Sequence, residues 1–130
     1  MNIGLGSRRK TILLVDDDAH ARAVLRNALE AAGFTVGEAA SGHEGERTAL
    51  RIKPDAILAD LMMETIDAGG AIAEKLKEVG SRVPIYIVST ATDALVGAVG
   101  LRELGISGVF LKPVDPAVVT QTLKTRLGAG

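Results

Sequence analysis

The sequence has no cysteine, no tryptophan, and only one tyrosine and two phenylalanines among its 130 residues. Without cysteine there can be no disulfide, no thiolate metal site and no cysteine nucleophile. Aromatic content is 2% against a hydrophobic content of 47%, so the core must be aliphatic. No apolar run approaches the ~20 residues of a membrane-spanning helix. The net charge is −1, which gives no electrostatic case for nucleic acid or an anionic membrane as partner. Arg8, Arg9 and Lys10 are followed only by a short strand-like run, so residues 1–10 read as a loose solubilising leader and not a signal peptide. There is no internal repeat and no low-complexity segment. A cytoplasmic domain with one core is expected, over residues 11–127 with a tail at 128–130.

What is present gathers around residues 11–18, TILLVDDD. Four apolar residues, Ile12 to Val15, run directly into three carboxylates. A continuous aliphatic and β-branched run of this length reads as a strand buried on both faces, as in a parallel sheet. Its end lies at the carboxyl edge of the sheet, where open α/β folds place their ligands. Adjacent carboxylates repel and raise each other's pKa unless a cation joins them. A hard divalent cation taking oxygen ligands, Mg²⁺ before Zn²⁺, suits Asp16, Asp17 and Asp18. One such residue alone would read as a helix N-cap.

The rest of the chain alternates. Ala21, Val24, Leu25, Ala28 and Leu29 follow the spacing of an amphipathic helix, which Gly33 stops. Residues 34–39 suit a second strand. Ser41 and Glu44 form a capping box for a helix running to about Lys53, ended by Pro54. Residues 55–59 form a third strand that runs into Asp60. A loop over 62–67 leads to a third helix with Ile72, Leu76 and Val79 on one face. Pro84 opens a fourth strand over 85–88, followed by the hydroxyls of Ser89 and Thr90. A fourth helix is expected over 93–104, closed by Gly105. Residues 109–111 form a fifth strand ending in Lys112 and Pro113, and a last helix covers about 116–127.

Strands alternating with helices call for a parallel sheet covered on both faces and joined by right-handed crossovers. The polar groups all follow strands: Asp16 to Asp18, Asp60, Ser89 or Thr90, and Lys112. Parallel strands share one carboxyl edge, so these groups can converge. Carboxylates for a metal, a hydroxyl and an ammonium together suit a phosphoryl group. One carboxylate can be the nucleophile and form an aspartyl phosphate.

On these motifs the chain resembles the receiver domain of two-component response regulators, the chemotaxis-regulator fold. The resemblance covers residues 11–127 and rests on VDDD, PDAILADLMM, the stretch from Pro84 to Ala91, and GVFLKPVD. It implies a flavodoxin-like, doubly wound five-stranded sheet in the order 2-1-3-4-5 with five helices. It implies that Asp60 accepts the phosphoryl group, and that Asp16 and Asp17 are the acidic pair, with Asp17 the direct Mg²⁺ ligand. Met62 matches the position that gives Mg²⁺ a backbone carbonyl. Lys112 matches the family's lysine, with a cis proline after it, and Asp18 matches a helix cap. The implied partner is a histidine kinase or phosphotransfer protein. The implied output face is the fourth helix, fifth strand and last helix, and the chain would be a signalling phosphoacceptor rather than an enzyme.

Four positions depart from the family pattern. Glu64 and Ala68 stand where proline and glycine are usual, although Asp67 fits. The hydroxyl is Ser89 when counted from Pro84 and Thr90 when counted back from Lys112, and Ser89 is preferred because a loop absorbs an insertion more easily than a buried strand. Val109 replaces the switching Tyr or Phe, and Phe110 should face the other way. The fourth helix has apolar residues around most of its circumference, with Leu95 and Val96 candidates for an exposed homodimer contact.

Other features have bland readings. His20 and His43 read as solvated, and Arg22 and Arg26 as a solvated stripe one turn apart. Gly97 and Gly100 do not make a phosphate loop, being inside a helix. Two alternative functions remain. One is a pseudo-receiver, an interaction module with an unused site. The other is a haloacid-dehalogenase-type phosphatase, whose D-x-D resembles Asp16 and Asp18 but wants Thr where His20 stands. No effector domain is expected after Leu127, so the chain is either a stand-alone receiver or part of a longer protein.

Overall fold

Five short strands lie side by side, all parallel, in the order β2-β1-β3-β4-β5. They are β1 (Thr11–Val15), β2 (Thr35–Ala39), β3 (Ala56–Asp60), β4 (Ile85–Ser89) and β5 (Gly108–Leu111). Among the described residues three helices are complete from end to end: α1 (Ala19–Ala31), α2 (Gly42–Ile52) and α3 (Pro116–Leu127). A computed structural model of the chain describes residues 9–60, 76, 78, 81–89 and 106–128. The order is that of a doubly wound, flavodoxin-like sheet, as the resemblance implies. Of the third helix expected from the sequence only positions 76 and 78 are described; both are helical, and Leu76 is buried in the core, as its place on the inward face requires. The rest of that helix and the fourth helix, with Met62, Asp67, Thr90, Leu95 and Val96, lie outside the described residues.

The sheet divides the core into two layers by strict alternation. Leu13 and Val15 of β1, Ile57 and Ala59 of β3, and Ile85 and Ile87 of β4 face one way, with Ala49 of α2 packed on them. Ile12, Leu14, Ala56, Leu58, Tyr86 and Val88 face the other way, against Leu29 of α1 and Val119 and Leu123 of α3. Every residue from Ile12 to Val15 is at most 2% exposed, which is why this strand reads as one unbroken apolar run. All three aromatic residues, Phe34, Tyr86 and Phe110, fall in the second layer. The rings of Tyr86 and Phe110 meet at 5.4 Å between centroids. Val109 and Leu111 on the other face of β5 are exposed, so Phe110 points away from them, as alternation requires.

The helix ends follow the sequence signals. Asp18 caps α1 by accepting from the N–H groups of His20 at 2.9 Å and Ala21 at 3.2 Å. At its other end Gly33 takes φ +100°, and Phe34 N–H donates to Leu29 O while Gly33 N–H donates to Glu30 O. This is a Schellman motif, and Phe34 packs in the same layer as Leu29. It also makes Phe34 the link from helix to strand, so β2 starts at Thr35 and not one residue earlier. Ser41 caps α2 by accepting from Glu44 N–H, and Glu44 reaches back to the N–H of Ala40. Asp115 caps α3, with Pro116 opening it. Asp55 lies just before β3. Its carboxylate accepts from Thr11 N–H at 2.7 Å and its own N–H donates to Thr11 O, so it fastens the entrance of β3 to that of β1. Among the described residues no helix is long and apolar enough to cross a membrane.

Candidate functional site

Because the strands are parallel, β1, β3, β4 and β5 deliver their carboxyl ends to one edge. Asp16 is the first residue beyond β1 and is held three ways. Its N–H donates to Ala39 O at 3.0 Å, extending the β1–β2 ladder. Its Oδ1 accepts from Asp18 N–H at 2.9 Å. Its main-chain carbonyl accepts from the Arg22 guanidinium. Asp60 is the last residue of β3, opposite Val88 of β4, and is 7% exposed. Lys112, just beyond β5, places Nζ 3.0 Å from Asp60 Oδ2. Its main-chain N–H donates to Ser89 O at 2.8 Å, and the peptide bond to Pro113 is cis.

Asp16, Asp18, Asp60 and Lys112 line one open cleft of ≈ 340 Å³, with Val24, Leu25, Val88 and Val114 as its apolar wall. Of the residues singled out in the sequence, the structure thus brings Asp16, Asp60 and Lys112 together. Asp17 follows Asp16 in the chain, is exposed, and does not line this cleft. Ser89 closes β4 fully buried and is likewise not a lining group.

The charge arrangement differs from simple repulsion between sequence neighbours. The Asp16 carboxyl is pushed above the ordinary aspartate range, first of all by burial. The Asp18 N–H opposes this; the Asp60 charge adds to it, Lys112 opposes it, and Asp17 contributes least. The sign follows directly. A carboxyl whose folded-state pKa is raised supports folding while protonated, and that support is lost as pH rises through the raised value. At neutral pH in chelator, the Asp16 charge therefore costs stability. Asp16→Asn keeps an oxygen for the Asp18 N–H and removes the charge. The site is half open to water, so the gain is discounted to under about 1 kcal/mol, a rise in Tm of roughly 2–4 °C. The rise should vanish at acid pH well below the ordinary aspartate range, where Asp16 is neutral in both folded and unfolded wild type. A thermal melt of both proteins across pH checks it, and a lower Tm for the variant at pH 7 would contradict the burial argument.

The donor set suits one kind of ion. Asp16 and Asp60 offer hard oxygens on one cleft, and a cation would relieve the disfavoured Asp16 charge. Among the described residues, no three His, Asp or Glu side chains form a ready-made cage. Mg²⁺ takes one or two carboxylates and keeps several waters, so it fits where an all-protein cage does not exist.

One residue at the edge of the site was misjudged from sequence, while its neighbour Arg26 is exposed as expected. Arg22 is not part of a solvated stripe: its side chain is only 17% exposed, and its Nε donates to Glu38 Oε1 at 3.0 Å. Arg26 is half exposed and donates from Nη1 to the other Glu38 oxygen at 2.9 Å. The i, i+4 spacing of the two arginines was visible in the sequence. The strand residue between their head groups was not, because only the β1–β2 pairing brings Glu38 there.

Residues 12–124 match the family model described as the response regulator receiver domain. Transcriptional regulatory protein PrrA of Mycobacterium leprae is 32% identical over 98% of this chain and 53% of its own length. Transcriptional regulatory protein GlrR of Escherichia coli K12 is 34% identical over 89% of this chain and 26% of its own length. The chain therefore spans about half, or less, of these relatives. Among solved structures, chemotaxis protein CheY4 of Vibrio cholerae superposes with a TM-score of 0.82 at 25% identity, covering 92% of this chain and 99% of that one. The Francisella 1452 receiver domain, at 21% identity and a TM-score of 0.80, covers 92% of this chain and 98% of its own, and shows the shared fold.

Proposed function

The chain belongs to the response regulator receiver domain family, and from that premise we propose that it accepts a phosphoryl group on Asp60 from the phosphohistidine of a histidine kinase or phosphotransfer protein. One observation carries the reading: the Asp60 carboxylate ends β3 in a cleft shared with Asp16, with the Lys112 ammonium 3.0 Å away. In the transfer, an Asp60 oxygen gives an electron pair to phosphorus and the P–N bond of the phosphoimidazole breaks. The pair from that bond returns to the imidazole nitrogen, which takes a proton from solvent. The side chain can act as nucleophile because Asp60 is fixed at the end of its strand with its carboxylate on the cleft.

Asp16, Asp17 and Asp60, with the Met62 carbonyl, are the residues that would hold Mg²⁺. Bound there, the ion would neutralise charge on the phosphoryl oxygens. Lys112 supplies a second positive charge on the Asp60 side, and Ser89 is the hydroxyl we assign to the phosphorylated state. The signal then leaves through the face of β5 and α3, together with residues 93–104, which lie outside the described residues. Support for that face comes from β5, where Val109 and Leu111 expose apolar side chains on one side of an edge strand, and from Val118 of α3, half exposed. The names of PrrA and GlrR point to transcription as the class of output.

Incubation with acetyl phosphate tests the reading. Labelling of one aspartate, dependent on Mg²⁺ and lost on chelation, is the expected result. A chain that binds Mg²⁺ yet stays unlabelled would instead be a pseudo-receiver, an interaction module with an unused site.

A further inference from the structure

We propose that Arg22, held in place by Glu38, is a positioning residue that sets the direction in which the Asp16 and Asp17 carboxylates are offered to a divalent cation. The inference rests on the phosphoacceptor reading and extends it to residues behind the site.

Arg22 lies on the first turns of α1, six residues beyond Asp16. One end of its guanidinium donates to the main-chain carbonyl of Asp16. The other donates from Nε to Glu38 Oε1 at 3.0 Å. The planar fork thus bridges the acidic turn and strand β2, and its side chain is largely shielded, at 17% exposed. Glu38 is fixed in turn. It sits opposite Leu14 in the β1–β2 register, and its second oxygen accepts from Arg26 Nη1 at 2.9 Å.

The bond to the Asp16 carbonyl is the informative one. An arginine that served only to neutralise an acidic cluster would meet a carboxylate of that cluster. This one meets the main chain instead, while the ammonium of Lys112 meets the Asp60 carboxylate. The peptide group is planar, so holding the Asp16 carbonyl also fixes the N–Cα bond of Asp17. The bond from Asp16 N–H to Ala39 O fixes the other side of residue 16. Loss of the guanidinium would free the Asp16–Asp17 peptide to rotate, and both carboxylates would leave their set directions together. A lysine cannot replace it, since a single ammonium lacks two donors held apart in one rigid plane to reach carbonyl and carboxylate at once.

Calorimetric titration with Mg²⁺ alone separates positioning from simple support of the fold, with labelling by acetyl phosphate as a second readout. Arg22→Met, which keeps the apolar stem, should weaken Mg²⁺ binding about tenfold, in the range seen for residues that orient metal ligands. Arg22→Lys should recover little of that loss. Glu38→Gln retains an oxygen for Nε and should weaken binding by less than the methionine variant but more than twofold, intermediate between it and wild type. At saturating Mg²⁺, the labelling rate of each variant should return to within about twofold of wild type, because Asp60 and Lys112 are untouched. If Arg22→Met is too unstable to titrate, Glu38→Gln carries the test alone. Mg²⁺ affinities within twofold of wild type for every folded variant, with only Tm reduced, would overturn the proposal and leave the phosphoacceptor reading standing. A wild-type chain that neither binds Mg²⁺ nor becomes labelled would overturn both.

Discussion

Asp60→Ala should abolish Mg²⁺-dependent labelling by acetyl phosphate altogether. No other carboxylate among the described residues has the same surroundings: Asp60 ends a buried strand, its side chain is 9% exposed, and Lys112 lies 3.0 Å from it. Asp16 shares the cleft, but its Oδ1 is engaged by the Asp18 N–H. The loss would not be a folding artefact. Removing Asp60 also removes a charge that disfavours ionised Asp16. Lys112 is 38% exposed and stays hydrated, so leaving it without its carboxylate costs little, under about 1 kcal/mol. The Tm of the variant in chelator should therefore fall within a few degrees of wild type. Labelling by mass spectrometry and a thermal melt check the two halves. Label on any other residue of Asp60→Ala, at the wild-type rate, would remove Asp60 from its role.

The second large effect is expected at Lys112. Lys112→Met keeps the length of the stem and deletes the ammonium. A fixed cation aimed at charge developing on a transferring group is worth about 10²–10³ in rate, so labelling should slow at least 10²-fold even at saturating Mg²⁺. Mg²⁺ affinity should be unchanged or higher, because ammonium and metal compete for the oxygens of one carboxylate. The response to a beryllofluoride phosphate mimic, followed by amide exchange along β5 and α3, should also weaken. Rates and calorimetric affinities measured side by side decide the matter. If affinity and rate fell by the same factor, Lys112 would be holding the shape of the site and not acting on the phosphoryl group.

Much of this was legible in the chain because each signal was local. The apolar runs of β1, β3 and β4 end abruptly in Asp16, Asp60 and Ser89, which locates both the strands and the edge they share. Ser41 with Glu44, and Gly33 after Leu29, fix two helix ends from residues three or four apart. The strand order was not legible from periodicity, since runs buried on both faces carry no mark of their neighbours; it came from resemblance and is the order found. The failures involve partners distant in sequence. Asp55 read as the start of a strand because Thr11, the N–H it accepts, is 44 residues away. Arg22 read as solvated because Glu38, 16 residues on, approaches only when β2 pairs with β1. Three carboxylates in a row suggested mutual repulsion, whereas burial governs Asp16 and the strongest like charge comes from Asp60 on another strand.

The two-layer core raises a question of alignment that the same acidic residues answer. A sheet with one wet face tells each strand which side is inward. In β1 and β3 both sides are apolar, so sliding a strand by one residue exchanges aliphatic groups for aliphatic groups. Only the ends differ. Drawing β3 in by one place would set the Asp60 carboxylate where Ala59 now sits, in the layer with Val15 and Ile87. An unpaired charge there costs several kcal/mol, more than the exchange of methyl groups could return. The acidic rim therefore works as a stop against misaligned sheets while the chain is folding. Residues that weaken the finished domain are also those that disqualify its nearest competitors.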